Sequence, residues 1–172
     1  ITGIPWLKSM GSYWPPMKIV TALCFIITSS ALAILFLKRP PALRTAFPVI
    51  SGILLVFVSL LTVIGWFFFK GHEHEALFTT FPVFSFFLSS DKRMAILTAF
   101  IFLMTGIILI LLSSDKKIAA NAAHAILLPV AVAVYLIPAS YLLKAYPIHD
   151  FFGTPTALNT GLAFSAVCAA IF

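Results

Sequence analysis

The sequence predicts an all-α, polytopic transmembrane helical bundle of about five spans, built from repeated helical hairpins. Of its 172 residues, 62% are hydrophobic and 9% are charged, which is too little polar surface for a soluble domain of this size. Five windows contain no Asp, Glu, Lys or Arg, and each has roughly the 20 residues that cross about 30 Å of hydrocarbon. Such runs must be helical, because lipid offers backbone groups no hydrogen-bond partner.

These windows define one transmembrane domain over residues 1–172 that has no soluble domain of its own. The predicted spans cover approximately residues 17–38, 43–69, 93–114, 121–143 and 155–172. Aromatic residues are frequent in segments 1–16 and 76–90, and aromatic rings favour the depth of the lipid headgroups. Both segments are therefore predicted to be interfacial.

Charged residues predict the orientation of the chain. The side of the membrane that holds the turns after spans one and three carries five basic residues against a single acid: Lys38, Arg39, Arg44, Lys116 and Lys117. The positive-inside rule places this side in the cytoplasm, with the N-terminus outside and the C-terminus inside. We expect the lipid bilayer as a partner and no nucleic acid, because the net charge of +6 is scattered over span ends.

A repeated motif opens the odd-numbered spans. It reads Met17-Lys-Ile-Val-Thr21-Ala-Leu-Cys-Phe25, then Met94-Ala-Ile-Leu-Thr98-Ala-Phe-Ile-Phe102, then Thr156-Ala-Leu-Asn-Thr160-Gly-Leu-Ala-Phe164. Four positions after the Phe comes a small residue, which is Ser29, Gly106 or Cys168. Spacings of four place these residues on one stripe of each helix. An odd span, a short turn and an even span thus form a unit that occurs twice, and span five begins a third.

The stripe has two interpretations. Small residues let helix backbones approach closely, so the stripe can pack one helix against another. Alternatively it lines a ligand cavity, for which the candidate residues are Thr21, Thr98, Thr160, Phe25, Phe102, Phe164, Asn159 and Tyr135. Span four adds Pro129 and Pro138, which predict kinks with freed carbonyls that can form a pocket wall.

The three motif copies, with Ile4-Pro-Trp-Leu-Lys8-Ser-Met before the first, resemble the N-terminal multi-pass sensory region of bacterial sensor histidine kinases and diguanylate cyclases. Thr156 and Gly161 depart from that pattern. The resemblance implies a signal-input module in the bacterial inner membrane, acting as a homodimer or larger assembly, with a cytoplasmic output domain after Phe172. The chain alone is then not an enzyme, and it contains no nucleophile–base constellation, phosphate-binding loop or carboxylate pair inside a span.

Histidines are the candidates for a metal or haem site. His72, His74 and His149 can form a zinc or copper site with the carboxylates beside them, or belong to solvated loops. His124, among alanines in span four, can be an axial haem ligand or bond to a neighbouring helix. We expect no cofactor, with haem or a transition metal as the alternative. The corresponding alternative functions are a haem- or metal-binding subunit of a membrane complex, and a small-molecule binder or carrier.

Overall fold

The computed structural model describes residues 18–37, 40–68, 94–114, 116–142 and 156–172. These ranges contain no strand and five helices: α1 (Ile19–Phe36), α2 (Pro41–Phe68), α3 (Ile96–Leu112), α4 (Lys117–Leu142) and α5 (Leu158–Ile171). The predicted all-α helical bundle is confirmed. The expected interfacial segments 1–16 and 76–90 lie outside the described residues.

Three of the helices are long and apolar enough to cross a membrane: Ile19–Phe36, Ala42–Phe67 and Lys117–Leu142. The apolar helices α3 and α5 are shorter, with 17 and 14 residues, or about 25 and 21 Å at 1.5 Å per residue. Helix α4 begins at Lys117 rather than near residue 121. Its first turn therefore includes a basic residue, which suits the headgroup region.

The odd-numbered helices begin at equivalent positions of the repeat. Ile19, Ile96 and Leu158 each lie two residues before the motif Thr. The residue before each helix is extended, with φ and ψ of −77° and 147° at Lys18, −60° and 146° at Ala95, and −63° and 141° at Ala157. The three motif copies therefore have the same local conformation at the helix start.

The even-numbered helices pack in the grooves between odd ones. Helix α2 contacts α1 and α3, α4 contacts α3 and α5, and α1 also contacts α3 and α5. Residues 37–40 separate α1 from α2, and residues 113–116 separate α3 from α4. Connections this short favour antiparallel neighbours. Helix α1 thus contacts both other odd helices, and each even helix lies against two odd ones.

Large apolar side chains also cover the outer surface of the bundle. Only 33–39% of each long apolar window is buried inside the protein, and side chains such as Ile50, Ile118 and Leu128 are exposed. A soluble monomer rarely carries so much contiguous apolar surface. In a bilayer these side chains contact lipid, so the chain is a membrane protein.

Candidate functional site

The three phenylalanines of the repeat meet at the centre of the bundle. The ring centroids of Phe25 and Phe102 are 4.9 Å apart, and Phe164 lies 4.6 Å from each of them. The rings are inclined to one another by 57–63°, a geometry that stabilises aromatic pairs beyond the burial of their surface. We call these three residues the Phe cluster. Each odd helix contributes one ring, so moving any of these helices changes contacts with the other two.

The motif threonines Thr21, Thr98 and Thr160 are buried, as expected for the inward stripe. A second threonine follows seven residues later in α1 and α3. The Thr28 hydroxyl donates a hydrogen bond to the Cys24 carbonyl oxygen, and the Thr105 hydroxyl donates one to the Ile101 carbonyl oxygen. Both oxygen–oxygen distances are 2.8 Å. A bond of this kind satisfies a hydroxyl within its own helix. The first two copies of the repeat therefore share this hydrogen bond as well, whereas the third copy has Val167 at the equivalent position.

The backbones of α2 and α3 approach closely at the small residue that follows the motif in α3. A methyl group on Gly106 would lie 2.8 Å from the Gly52 carbonyl oxygen, and one on Gly52 would lie 2.7 Å from the Gly106 carbonyl oxygen. Both distances are shorter than a van der Waals contact, so only glycine fits at these positions. The two glycines lie in the most extensive helix interface of the described residues, between α2 and α3.

Helix α5 uses a different small residue against α4. A methyl group on Gly161 would lie 2.7 Å from Ile137 Cγ2 and 3.3 Å from Pro138 Cδ. Gly161 directly follows the motif threonine. Pro138, expected as a possible pocket wall, thus packs on the neighbouring helix. Gly106 of α3 and Gly161 of α5 each lie against a neighbouring helix. These contacts support the interpretation in which the stripe packs one helix against another.

Each even helix also donates a hydrogen bond to the start of the next odd helix. Trp66 Nε1 lies 3.2 Å from the Met94 carbonyl oxygen, and the Tyr141 hydroxyl lies 2.6 Å from the Thr156 carbonyl oxygen. Met94 and Thr156 are the first residues of their motif copies and are buried. The aromatic donors therefore fix the even helices relative to the odd ones at equivalent places.

Two buried hydroxyls in the described ranges have no hydrogen-bond partner. They are Ser59 Oγ in α2 and Thr156 Oγ1 just before α5. Burying a hydroxyl without a hydrogen-bond partner costs free energy. A polar group that reached either hydroxyl would therefore stabilise the folded protein. Neither residue was singled out as a ligand candidate from the sequence.

Three further predicted site residues lie away from the Phe cluster. Tyr135 is 50% exposed on α4, and Asn159 is half-buried on α5. His124 is exposed, with Nδ1 2.8 Å from the Ala120 carbonyl oxygen of its own helix. The described ranges contain no group of three metal-ligating side chains, and His72, His74 and His149 lie outside those ranges. Haem or metal binding stays a prediction.

Gly52, Trp66 and Ile137 shape the helix contacts and belong to no recognised motif. An isolated glycine in an apolar helix is a weak sign of close backbone approach, and a Trp near a span end is a weak sign of an anchored terminus. Comparisons with protein-family models, curated proteins and solved structures find no match for this chain. The resemblance of the motif to sensory regions therefore stays a prediction.

Proposed function

We propose that this chain is an integral-membrane signal-input module, which couples a signal in the membrane or outside the cytoplasm to a cytoplasmic output domain. The observation that carries this proposal is the Phe cluster. One ring from each odd helix touches the other two, at centroid distances of 4.6–4.9 Å. A shift of α1 or α3 therefore reaches α5 through direct contact rather than through lipid.

The helix contacts around the Phe cluster suit small rigid-body movements. Gly52 and Gly106 face each other through their backbones, and Gly161 lies against the side chains of Ile137 and Pro138. Closely packed helices of this kind switch between discrete arrangements by sliding 1–2 Å. A signal that favours one arrangement changes the position of α5, which is the last of the described helices and the one that would connect to the output domain.

The proposed location is the bacterial inner membrane, with the N-terminus outside and the C-terminus in the cytoplasm. Basic side chains support this orientation: Arg44, Lys116 and Lys117 are exposed at the starts of α2 and α4. A fluorescent reporter that matures only in the cytoplasm should be bright when fused after Phe172. A dark fusion at normal membrane abundance would contradict the orientation.

Signal transfer through the Phe cluster is tested in the polypeptide expressed with its downstream coding sequence. Phe102→Ala should change kinase or cyclase output by about tenfold, within the usual range of coupling free energies. Phe47→Ala is the matched control, because Phe47 is half-buried in α2 and lies outside the cluster. The proposal fails if Phe102→Ala, present at wild-type levels in the membrane, leaves output and its response to stimuli unchanged.

A further inference from the structure

The motif threonines occupy the same place in the three odd helices. Thr21, Thr98 and Thr160 are each the third residue of their helix, and all three are buried. The phenylalanine four positions later belongs to the Phe cluster, so each threonine lies about 6 Å nearer the helix start on nearly the same side. Because the three phenylalanine rings touch, the three threonines surround the same axis. We call them the Thr ring.

The Thr ring differs from the deeper threonines in where its hydroxyls can bond. Thr28 and Thr105 donate to the carbonyl oxygen four residues earlier in their own helix. For Thr98 and Thr160, the residue four positions earlier precedes the helix. Its carbonyl oxygen already accepts a hydrogen bond from an aromatic side chain of the preceding even helix. These hydroxyls therefore lack the partner that satisfies a threonine inside a helix.

Ser59 of α2 brings a further hydroxyl to this level of the bundle. It lies seven residues, or about two turns, from both Gly52 and Trp66, which contact Gly106 and Met94 of α3. Since α2 and α3 are antiparallel, Ser59 is level with residue 100, midway between those two contacts. The two-turn spacing from Gly52 also places Ser59 on the face of α2 that packs against α3. Its Oγ is buried without a hydrogen-bond partner.

Thr156 provides the second unpaired hydroxyl at the same end of the bundle. It lies two residues before α5 and is 1% exposed, and its Oγ1 has no hydrogen-bond partner. The other copies of the motif have Met17 and Met94 at this position, whose side chains need no hydrogen bond. The third copy therefore places a polar group where the repeat otherwise has an apolar one, and burying it costs free energy unless a partner reaches it.

The starts of the odd helices favour a negatively charged partner for these hydroxyls. All three helices begin at one end of the bundle, because the aromatic donors at the ends of α2 and α4 bond to the residues just before α3 and α5. None of the three starts has a side-chain cap or an acidic residue in its first turn. The positive ends of the helix dipoles attract anions. The described ranges contain no Asp or Glu that would supply a carboxylate.

We propose that the Thr ring, with Ser59 and Thr156, binds the carboxylate group of a small organic anion. The hydroxyls donate hydrogen bonds to the carboxylate oxygens, each of which accepts more than one. Hydrogen bonds to a charged acceptor are stronger than those between neutral groups. The Phe cluster lies one turn deeper and gives the site an apolar floor. This binding does not depend on whether the chain transmits a signal.

Titration with acetate tests the site in the full chain, reconstituted in lipid bilayers with 4-fluorophenylalanine at Phe102. At constant pH and ionic strength, acetate should move the fluorine resonance saturably, whereas acetamide, which has a similar shape and no charge, should not. Thr98→Val should weaken acetate binding by about tenfold, as expected for losing one hydrogen bond to a charged group. Thr105→Val is the matched control, because Thr105 is equally buried in α3 and bonds within its helix.

The proposal is overturned if acetate produces no saturable shift or if acetamide binds as well. It is also overturned if Thr105→Val weakens binding as much as Thr98→Val does.

Thermal unfolding gives a second test that needs no label. A ligand that binds only the folded protein raises its unfolding temperature, so acetate should do so for the wild type. Thr156→Val removes the unpaired hydroxyl, so it should raise the unfolding temperature without acetate and reduce the further rise that acetate causes. The same rise with acetate in Thr156→Val, Thr98→Val and the wild type, or no rise in the wild type, would overturn the proposal.

Discussion

Helices α1 and α3 carry the same motif but have different surroundings. Both begin two residues before the motif threonine, and both place a phenylalanine in the Phe cluster. On the flank beside the cluster, which includes Ile96 and Gly106 in α3 and the equivalent Ile19 and Ser29 in α1, Ile96 is 7% exposed, whereas Ile19 is 60% exposed. The repeat therefore determines the inward stripe of each odd helix, while the neighbouring helix determines how the flank is used.

The largest expected effect concerns the stripe that the two helices share. Phe102→Ala and Phe25→Ala each remove a ring from the Phe cluster and leave a cavity, which costs about 3–4 kcal/mol of unfolding free energy. The measurement is equilibrium unfolding in mixed micelles at low protein concentration, followed by circular dichroism. Phe57→Ala is the control, because Phe57 is exposed on α2, and it should cost little. Equal effects at Phe57 and Phe102 would show that the cluster is not a special contact.

The next largest effect is a difference between α3 and α1 in how much a larger side chain costs at the small residue of each flank. Gly106→Val places a branched side chain against the Gly52 carbonyl, where even a methyl group is too close, and overpacking of this kind costs about 3 kcal/mol. Ser29→Val occupies the equivalent position of α1, which is exposed, and should leave monomer unfolding unchanged. The same micelle titration compares the two variants. A tolerated Gly106→Val would contradict the close approach of α2 and α3.

A smaller difference is expected between the flank isoleucines. Ile96→Ala removes a buried side chain and should cost about 2 kcal/mol, at the low end for such truncations. Ile19→Ala removes one that is 60% exposed and should cost much less in the monomer. Thermal unfolding of the purified proteins at one detergent concentration gives the comparison. If both variants lose the same free energy of unfolding, the flanks of α1 and α3 do not differ in burial.

The smallest effect tests the bonds from the even helices. Tyr141→Phe keeps the ring and removes the hydroxyl that donates to the Thr156 carbonyl at 2.6 Å. Polar contacts between membrane helices contribute about 0.6 kcal/mol on average, so a loss of this size is expected. Tyr135→Phe is the matched control, because Tyr135 is half-exposed on the same helix. A Tyr141→Phe variant as stable as the control would show that the bond contributes nothing.

The sequence was sufficient for the parts of this fold that depend on local pattern. The length of the charge-free windows predicted the helices, and the motif spacing predicted the stripe that places Phe25, Phe102 and Phe164 inward. The partner of each stripe was not predictable, because nothing in the motif identifies Gly52 as the residue opposite Gly106. His124 was expected in a span, but whether its ring faces a helix or the outside depends on packing around α4.

The central claim is that the repeat brings one phenylalanine from each odd helix into a single cluster. Fluorine NMR tests it most directly, with 4-fluorophenylalanine introduced at Phe102 alone. Because aromatic rings shift the resonances of nuclei close to them, Phe25→Leu and Phe164→Leu should each move the fluorine signal, and Phe47→Leu on α2 should not. A signal that responds to neither substitution, or to only one, would contradict the cluster.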